Sequence, residues 1–196
     1  MLNFFEVHEM KEQLGDVEAY LEDTVGHLPS PTRERALNIL RAGGKRVRPA
    51  FAIMTASMFG KEKEIIPLAA ALEMIHMASL IHDDVVDQAD TRRGRGTINA
   101  LYGDGYAVYV GDYVLTRAIE IVCQQPNSNR LLQIMADLSI EMSLGEVEQL
   151  RSAFDIKQTV EDYNYRIDRK TALLMATSCQ AAAVASGASE DEIDIL

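Results

Sequence analysis

The sequence contains little of what marks a secreted or a membrane-spanning protein. Only two cysteines occur among its 196 residues, Cys123 and Cys179, and their spacing is not that of a metal site. Such scarcity is typical of the reducing cytoplasm, and the apolar neighbours of both residues predict buried thiols. The first residues lack a basic region followed by a sustained apolar run, so we expect no secretory signal. The longest uncharged stretch, residues 171–189, predicts a packed core helix and is too weakly apolar for a membrane span.

Positive charge is also scarce, and where it occurs it is concentrated. The net charge is −11 at pH 7, which argues against general nucleic-acid binding. Residues 31–60 nevertheless carry six bases and one acid. In an acidic protein such a local cluster predicts a discrete anionic ligand.

The centre of this basic region is the loop GGKRVRP at residues 43–49. Its two glycines expose backbone N–H groups just before a predicted helix. Lys45 and Arg48 are three residues apart, so both side chains can reach one anion, and a diphosphate suits such a pair. The loop lacks the spacing of a P-loop. A solvated basic surface is the alternative interpretation.

Strand patterns are missing as well, since alternation of apolar and polar residues is short wherever it occurs. There is no heptad array, internal repeat or low-complexity tract. The fold class is therefore predicted to be all-α, a bundle of long helices with polar groups from facing helices in its interior. The longest helices are predicted over residues 65–88, over residues 130–153, and from a capping box at Thr159 and Asp162 to residue 187.

The first of these helices ends in a dense motif, LEMIHMASLIHDDVVDQADTRRGRG, at residues 72–96. Asp83 and Asp87, and also Asp84 and Asp87, can share a helical face, and His76 lies two turns earlier on the same stripe. Because neighbouring carboxylates repel each other, a bound divalent ion is expected to offset their charge, and Mg²⁺ would in turn hold phosphate oxygens. A solvated acidic patch, or a salt-bridge patch with the following arginines, is the alternative.

Two later segments also carry candidate residues. The segment GEVEQ begins at Gly145, and glycine inside a helix makes sense where a neighbour or ligand approaches closely. Lys170 and Thr171 lie where a helix becomes wholly apolar, so we expect them to point into a cavity. For Arg166 we expect a helix-face salt bridge with Asp162.

The final residues have the pattern of a helix start, with Ser189 as cap followed by three acids. The sequence ends at Leu196, before that helix completes two turns. We therefore expect a fragment, or a chain that a complementary chain completes; a frayed tail is the alternative.

Together these elements resemble the trans-prenyltransferases, or polyprenyl diphosphate synthases. The resemblance covers almost the whole chain and is carried by five segments: GGKRVRP (43–49), EMIHMASLIHDDVVDQADTRRG (73–94), YVGDYVL (109–115), GEVEQ (145–149) and RKTALL (169–174). The His-Asp-Asp-x-x-Asp-x-x-x-x-Arg-Arg-Gly string is similar to the family's first aspartate-rich motif. Within the family the chain is most similar to bacterial long-chain synthases that make quinone side chains, including the catalytic component of heptaprenyl diphosphate synthase.

The resemblance implies a fold and an activity. The fold would be an isoprenoid-synthase-type bundle of long, mostly antiparallel helices around a central cavity, forming a single all-α domain over residues 1–196. The activity would be Mg²⁺-dependent condensation of isopentenyl diphosphate with an allylic diphosphate, giving a medium- or long-chain all-trans polyprenyl diphosphate. It also implies a homodimer, or a heterodimer with another synthase subunit, and a cytoplasmic location with or without peripheral attachment to a membrane.

The resemblance also implies roles for matching positions. Mg²⁺ and the allylic diphosphate would be held by Asp83, Asp84, Asp87 and Arg92. Isopentenyl diphosphate would be bound by Lys45, Arg48, His76 and Arg93. The allylic substrate near its developing cation would face Lys170 and Thr171, and Gln149 would line the cavity.

Product length is predicted from the turn before the first aspartate of the motif. In the family, bulk at this point blocks the growing chain. Ala78 and Ser79, five and four residues before Asp83, are small and leave the floor open. We therefore predict a product longer than geranylgeranyl diphosphate.

One departure from the family pattern limits this interpretation. The second aspartate-rich motif, expected after residue 187, does not occur in the sequence. We therefore expect little catalysis by residues 1–196 alone, and Mg²⁺-dependent turnover in a full-length form or with a complementing chain. Two alternatives stay open: a non-catalytic partner subunit of a prenyl synthase, and a metal phosphohydrolase of the HD type with His82 and Asp83 as ligands.

Overall fold

The structure is a computed structural model that describes residues 8–30, 32–41 and 44–196. Within these residues the prediction of an all-α fold is confirmed. The helices are α1 (His8–Gly26), α2 (Thr32–Arg41), α3 (Val47–Ser57), α4 (Ile66–Val86), α5 (Ile98–Tyr102), α6 (Asp104–Cys123), α7 (Ser128–Arg151), α8 (Val160–Ile167), α9 (Leu173–Ser186) and α10 (Glu190–Ile195). Residues 1–7, and Gly43 of the basic loop, lie outside the described part.

Helix α4 is the central element of the bundle. Pro67 stands in its first turn, where a proline costs no hydrogen bond, and apolar side chains then occupy nearly every side of the helix. A helix that is apolar all round must be buried, and α4 packs most extensively against α6 and also contacts α1, α3 and α9. Its buried side chains belong to one hydrophobic core that extends from Met10 on α1 to Ile193 on α10.

The end of α4 leads into a short β-hairpin that the sequence did not predict. Strand β1 (Thr91–Arg92) pairs antiparallel with β2 (Arg95–Gly96), with Thr91 opposite Gly96. Arg93 and Gly94 form the turn and both have a positive φ, of 52° and 75°. A two-residue loop with positive φ at both positions matches the right-handed twist of paired strands. Strands of two residues are too short for a periodic signal, which is why the pattern failed to reveal them.

The helix predicted from Thr159 to residue 187 is interrupted. The predicted capping box is confirmed, since the Asp162 amide donates to the Thr159 hydroxyl and the Asp162 carboxylate accepts from the Thr159 amide. Helix α8 then passes into a π-helical segment, Asp168–Ala172, before α9 begins. Such π-helical turns occur often at functional sites. The helix start predicted at Ser189 is also confirmed as a capping box with Glu192.

Three smaller expectations are corrected or completed. Cys123 is exposed and Cys179 is half-buried, so the predicted pair of buried thiols is wrong. Arg166 donates from Nη1 to the Ser152 hydroxyl at 2.8 Å, in place of the predicted salt bridge with Asp162. Across the described ranges, no helix combines the length and the apolar character needed to cross a membrane.

Candidate active site

The largest of the described cavities lies between α4, α7 and the π-helical segment and has a volume of about 490 Å³. Its lining brings together most of the predicted site residues: Arg48, His76, Ala78, Ser79, Asp83, Asp87, Gln149, Lys170 and Thr171. Apolar side chains from three helices, among them Ile75, Leu115 and Met142, form the rest of the wall. The lining of the cavity therefore combines charged side chains with apolar side chains.

Two of the three motif aspartates face this cavity. Asp83 in the last turn of α4 and Asp87, its C-cap residue, are four residues apart and both line it, as their spacing predicted. Asp84 is buried and lines a different, smaller cavity, where Arg92 Nε donates to its Oδ1 at 2.7 Å. Asp84 and Asp87 therefore do not line the same cavity, as their predicted convergence on one ion would require. Burial raises the pKa of Asp84 and the charge of Asp87 adds to this, whereas the ion pair with Arg92 of the hairpin acts to lower it.

The backbone around Asp84 is also held in place. Asn99 Nδ2 donates to the carbonyl oxygen of Asp84 at 3.1 Å and to that of Ala89 at 3.2 Å. The Thr97 hydroxyl donates to the same Ala89 carbonyl at 2.6 Å. The Asp84 carbonyl also accepts from the Ala89 amide at 2.9 Å, so the chain just after α4 is tied to its last turn. These bonds fix the end of α4, where Asp83 lies in the last turn and Asp87 is the C-cap residue.

The charges around Asp83 suit a divalent cation. Burial raises the pKa of Asp83, and repulsion by Glu146 and Asp87 raises it further, although Lys170 and Arg92 act in the opposite direction. Within the described residues no group of three His, Cys, Asp or Glu side chains is arranged to hold a metal. Mg²⁺ commonly uses one or two carboxylates and takes its other ligands from water and phosphate. Asp83 and Asp87 fit that requirement.

The wall opposite these aspartates is built around the π-helical segment. Lys170 Nζ lies 3.0 Å from Glu146 Oε1 and 3.2 Å from Gln149 Oε1, both on α7. Lys170 and Thr171 thus line the cavity, where the apolar boundary in the sequence predicted them. Glu146, part of the segment GEVEQ but not one of the predicted site residues, lines it too. Its position three residues before Gln149, on the same helical face, was the available signal.

Gly145 explains how this segment comes so close to α7. A methyl group added at Gly145 would lie 2.9 Å from Cβ of Arg169, so the predicted close approach is confirmed and the neighbour is Arg169. Arg169 Nε in turn lies 2.7 Å from Glu141 Oε2, and its guanidinium stacks 3.6 Å above the ring of Tyr165. Arg169, the residue before Lys170, is thereby positioned by its contacts with Gly145, Glu141 and Tyr165.

The basic loop and the hairpin form the third part of the site. A side chain at Gly44 would meet the guanidinium of Arg93 at 3.3 Å, which brings the two basic segments together. Arg93, Arg92 and His76 line a small cavity of about 30 Å³ beside the larger one. Lys45 is exposed and lines neither cavity, whereas Arg48 lines the larger one. Of the predicted anion ligands, only Lys45 is not brought to a cavity.

His76 connects the two cavities and is electrically unusual. Burial and then the positive charges of Arg48, Arg93, Arg92 and Arg46 lower its pKa to about 3. The imidazole is therefore neutral near pH 7 and contributes hydrogen bonds, not charge. Burial also lowers the pKa of Arg48, against the attraction of Glu73, and its Nε is buried without a hydrogen-bond partner among the described atoms. Concentrated cations with unused donors suit an anion.

The turn below Asp83 is open. Ala78 is buried and Ser79 half-buried, and both line the large cavity. The Ser79 hydroxyl donates to the His76 carbonyl at 2.9 Å, so it is satisfied within its own helix. The wall at this level consists of small side chains, as the sequence predicted.

An all-α bundle with two neighbouring carboxylates and fixed cations around a cavity is the arrangement that the resemblance to polyprenyl diphosphate synthases implies. The profile of the family described as Polyprenyl synthetase matches residues 31–196. The chain belongs to the polyprenyl synthetase family.

Individual relatives agree with this membership. The chain is 44% identical over 183 residues to heptaprenyl diphosphate synthase component 2 of Geobacillus stearothermophilus, covering 92% of this chain and 57% of that protein. It is 38% identical over 155 residues to octaprenyl diphosphate synthase of Escherichia coli, covering 79% of this chain and 48% of that protein. The chain thus spans about half the length of the curated relatives it matches.

Solved structures give the same fold. Heptaprenyl diphosphate synthase of Staphylococcus aureus superposes with a TM-score of 0.87 at 35% identity, covering 94% of this chain and 59% of that one. A polyprenyl synthase of Caulobacter crescentus, solved with calcium and isoprenyl diphosphate, superposes with a TM-score of 0.88 at 33% identity, covering 96% and 57%. That relative holds a divalent cation and a prenyl diphosphate.

Proposed function

We propose that the protein is a polyprenyl diphosphate synthase that condenses isopentenyl diphosphate with an allylic diphosphate to give a medium- or long-chain product, as quinone side chains require. The observation that supports this most strongly is the large cavity. Asp83 and Asp87 lie on one wall, Lys170 and Thr171 on another, and an apolar interior continues beyond them. The names of the heptaprenyl and octaprenyl relatives agree with a product in this range.

In this proposal Asp83 and Asp87 hold Mg²⁺ against the diphosphate of the allylic substrate. When bound, the ion supplies positive charge that polarises the phosphate oxygens. Asp84 takes part by holding Arg92 at the same end of α4, where the guanidinium contacts that diphosphate. The Caulobacter crescentus relative, solved with calcium and isoprenyl diphosphate, supports a divalent cation and a diphosphate as the ligands of such a site.

The remaining residues bind the second substrate and stabilise developing charge. Arg48, Arg93 and Lys45 provide the charges for the diphosphate of isopentenyl diphosphate, and neutral His76 provides a hydrogen bond. As the allylic C–O bond breaks, negative charge grows on the departing diphosphate, where Lys170 is a fixed cation. The carbon–carbon bond then forms between the allylic cation and the isopentenyl double bond. The departing diphosphate accepts the proton that is lost.

Water must be kept from the allylic cation while this happens. Ile75, Leu115 and Met142 supply apolar walls, Thr171 faces the reacting carbon, and Gln149 lines the cavity beside Lys170. Ala78 and Ser79 leave room below for a growing chain. The HD-type alternative has less support, because His82 Nε2 lies 3.3 Å from both the Val108 carbonyl and Asp112 Oδ1 on α6.

Assembly is part of the proposal. The name "component 2" of the Geobacillus stearothermophilus relative supports a synthase made of more than one part. We accordingly propose a homodimer, or a heterodimer with another synthase subunit. The scarcity of cysteine supports a reducing, cytoplasmic location. A non-catalytic partner subunit is the competing function, and it would co-purify with a synthase without forming product itself.

The test is incorporation of labelled isopentenyl diphosphate into polyprenyl diphosphate by the full-length protein. Product should form with Mg²⁺ and farnesyl diphosphate but not in EDTA. Asp83→Asn and Asp87→Asn should each lower the rate at least about a hundredfold, because several kcal/mol of charge stabilisation is lost. Asp90→Asn, an exposed acid just beyond α4, is the matched control and should keep the rate. Metal-independent product formation, or no product from the purified protein together with any subunit that co-purifies with it, contradicts the proposal.

A further inference from the structure

A buried arginine lies in the middle of the basic loop between the two candidate anion ligands Lys45 and Arg48. Arg46 is only 8% exposed, whereas Lys45 on one side is exposed. Its guanidinium faces the protein interior and lines the small cavity beside His76 and Asp84. The loop therefore places Lys45 at the surface and the next residue, Arg46, in the protein interior.

Arg46 contacts three helices through a single side chain. Nη1 donates to Glu73 Oε1 on α4 at 2.9 Å, and Nη2 donates to the Leu40 carbonyl on α2 at 2.7 Å. Nε and Nη2 bind both carboxylate oxygens of Glu18 on α1, in the forked geometry that only arginine offers. Burial acts to lower the pKa of Arg46, but the bonds to Glu18 and the charge of Glu73 outweigh it and the pKa is raised.

The backbone at Arg46 is strained, and these bonds account for its persistence. Arg46 has φ 46° and ψ 40°, a left-handed conformation that costs a non-glycine residue roughly 1–2 kcal/mol. It also begins α3, because the Ala50 amide donates to its carbonyl at 3.0 Å. Strain of this kind survives where surrounding contacts over-determine the conformation. Here it reverses the chain so that Arg48 enters α3 facing the large cavity.

Glu73 is the centre of this arrangement. Its side chain is 6% exposed, its Oε1 accepts from Arg46, and its charge also attracts Arg48. It lies one turn before His76 on α4, so the same face carries the anchor and the neutral imidazole. A buried carboxylate among these cations lowers the local positive potential. By its charge alone, Glu73 would therefore weaken the binding of an anion.

We infer that the buried ion pair Arg46–Glu73 positions the basic loop, so that Arg48 and Lys45 are held ready for the diphosphate of the second substrate. Arg46 and Glu73 are positioning residues that act through the loop. The identity of the anion in this inference rests on the proposed function. The ordering of the loop by Arg46 and Glu73 does not depend on that function.

Glu73→Gln separates positioning from simple electrostatics. If Glu73 only added negative charge near the site, its removal would tighten anion binding. If it holds Arg46 and the loop, its removal weakens binding. We expect inorganic diphosphate, titrated into the full-length protein in EDTA, to bind at least about tenfold more weakly to Glu73→Gln. EDTA excludes the metal-dependent site at Asp83 and Asp87.

The matched control is Glu22→Gln. Glu22 forms a forked ion pair with Arg41, at 2.7 and 2.8 Å, that joins α1 to α2 away from both cavities. Neutralising it should leave diphosphate affinity within about twofold of the wild-type value, because exposed ion pairs contribute little. Arg46→Lys, which keeps the charge but loses the fork, should resemble Glu73→Gln.

Hydrogen exchange at the Ala50 amide gives a readout that needs no ligand. Exchange there should accelerate in Glu73→Gln and not in Glu22→Gln. Equal or tighter diphosphate binding by folded Glu73→Gln, with unchanged Ala50 exchange, overturns the inference. If the wild-type protein binds no diphosphate while Ala50 exchange still accelerates in Glu73→Gln, the proposed second-substrate site fails and the positioning role stands.

Discussion

His76 shows how a single residue combines burial with charge. Its pKa of about 3 in the folded protein, against 6.5 for an ordinary histidine, means that the unfolded chain takes up the proton first as the pH falls. The contribution of His76 to the free energy of unfolding is therefore at its maximum above pH 6.5, and it decreases as the pH falls from 6.5 towards 3. The neighbouring guanidinium groups are the reason that protonation is unfavourable in the folded state.

His76→Gln should reduce this acid sensitivity. The difference in free energy of unfolding between pH 7.5 and pH 5 should be smaller in the variant than in the wild-type protein, as measured by urea titration at each pH. His27→Gln, at an exposed histidine near the end of α1, controls for the loss of a histidine and should keep the wild-type difference. Equal acid sensitivity in His76→Gln and the wild-type protein would argue against a buried neutral imidazole.

Ala78 tests the account of product length. A phenylalanine there would fill the cavity about 7.5 Å below Asp83, because five residues of helix separate the two positions. Ala78→Phe should shorten the product, seen by chromatography of the dephosphorylated alcohols, while condensation continues. Ala19→Phe places the same bulk on an exposed position of α1 and should leave the distribution unchanged. An unchanged product from Ala78→Phe would show that the chain grows elsewhere.

At the residue scale, the spacing of residues along the sequence predicted which side chains of one helix lie together. It did not predict contacts between two different elements. Asp83 and Asp87 share a cavity because they are four residues apart at the end of one helix, with Asp87 as its C-cap. The pairing of Asp84 with Arg92 depends on the hairpin, which has no periodic signal. Likewise the sequence presents Arg46 as one of six bases in residues 31–60, and only the packing of α1, α2 and α4 reveals that it is buried.

At the scale of elements, the contact between α4 and α6 is set by a glycine. A methyl group at Gly111 would lie 2.6 Å from Cδ2 of His82 and still closer to Nε2. The ring occupies this space and also contacts the Val108 carbonyl and Asp112. Since His82 directly precedes Asp83, the contact helps to fix the end of α4 that carries the candidate metal ligands.

Gly111→Ala should therefore destabilise the protein by roughly 1–3 kcal/mol, the usual cost of overpacking. The measurement is the urea midpoint at constant slope. Gly105→Ala in the same helix meets nothing within 4 Å and should be neutral or stabilising by up to about 1 kcal/mol. If the two variants had the same midpoint, the proposed close contact would be contradicted.

Most elements could be predicted because their helices have apolar periodicity and clear end signals. Pro67, the capping box at Thr159 and the cap at Ser189 all begin helices as expected. The π-helical segment Asp168–Ala172 could not be predicted, because its residues carry no local signal for it; within it, Arg169 packs closely over Gly145 of α7. The next residue, Lys170, contacts Glu146, so the unpredicted element is also one that builds the cavity wall.

At the scale of the whole molecule, α4 is shared by every part of the site. It carries Asp83, which faces the large cavity with the C-cap residue Asp87, and also Glu73 and the small residue Ala78. The cations come to it from separate segments: the basic loop, the hairpin and the π-helical segment. Charge stabilisation in such a site depends on groups fixed before the reaction starts. The packing around α4 therefore underlies the proposed chemistry as well as the fold.

The central claim is that the large cavity binds an allylic diphosphate through Mg²⁺ held by Asp83 and Asp87. Calorimetric titration of farnesyl diphosphate into the full-length protein tests it most directly. Binding should be at least about tenfold tighter in Mg²⁺ than in EDTA, a difference of about 1.4 kcal/mol, and the combined Asp83→Asn and Asp87→Asn variant should lose that difference. Asp90→Asn should keep it. Equal affinity in Mg²⁺ and EDTA, or a metal effect that survives loss of both aspartates, would contradict the account.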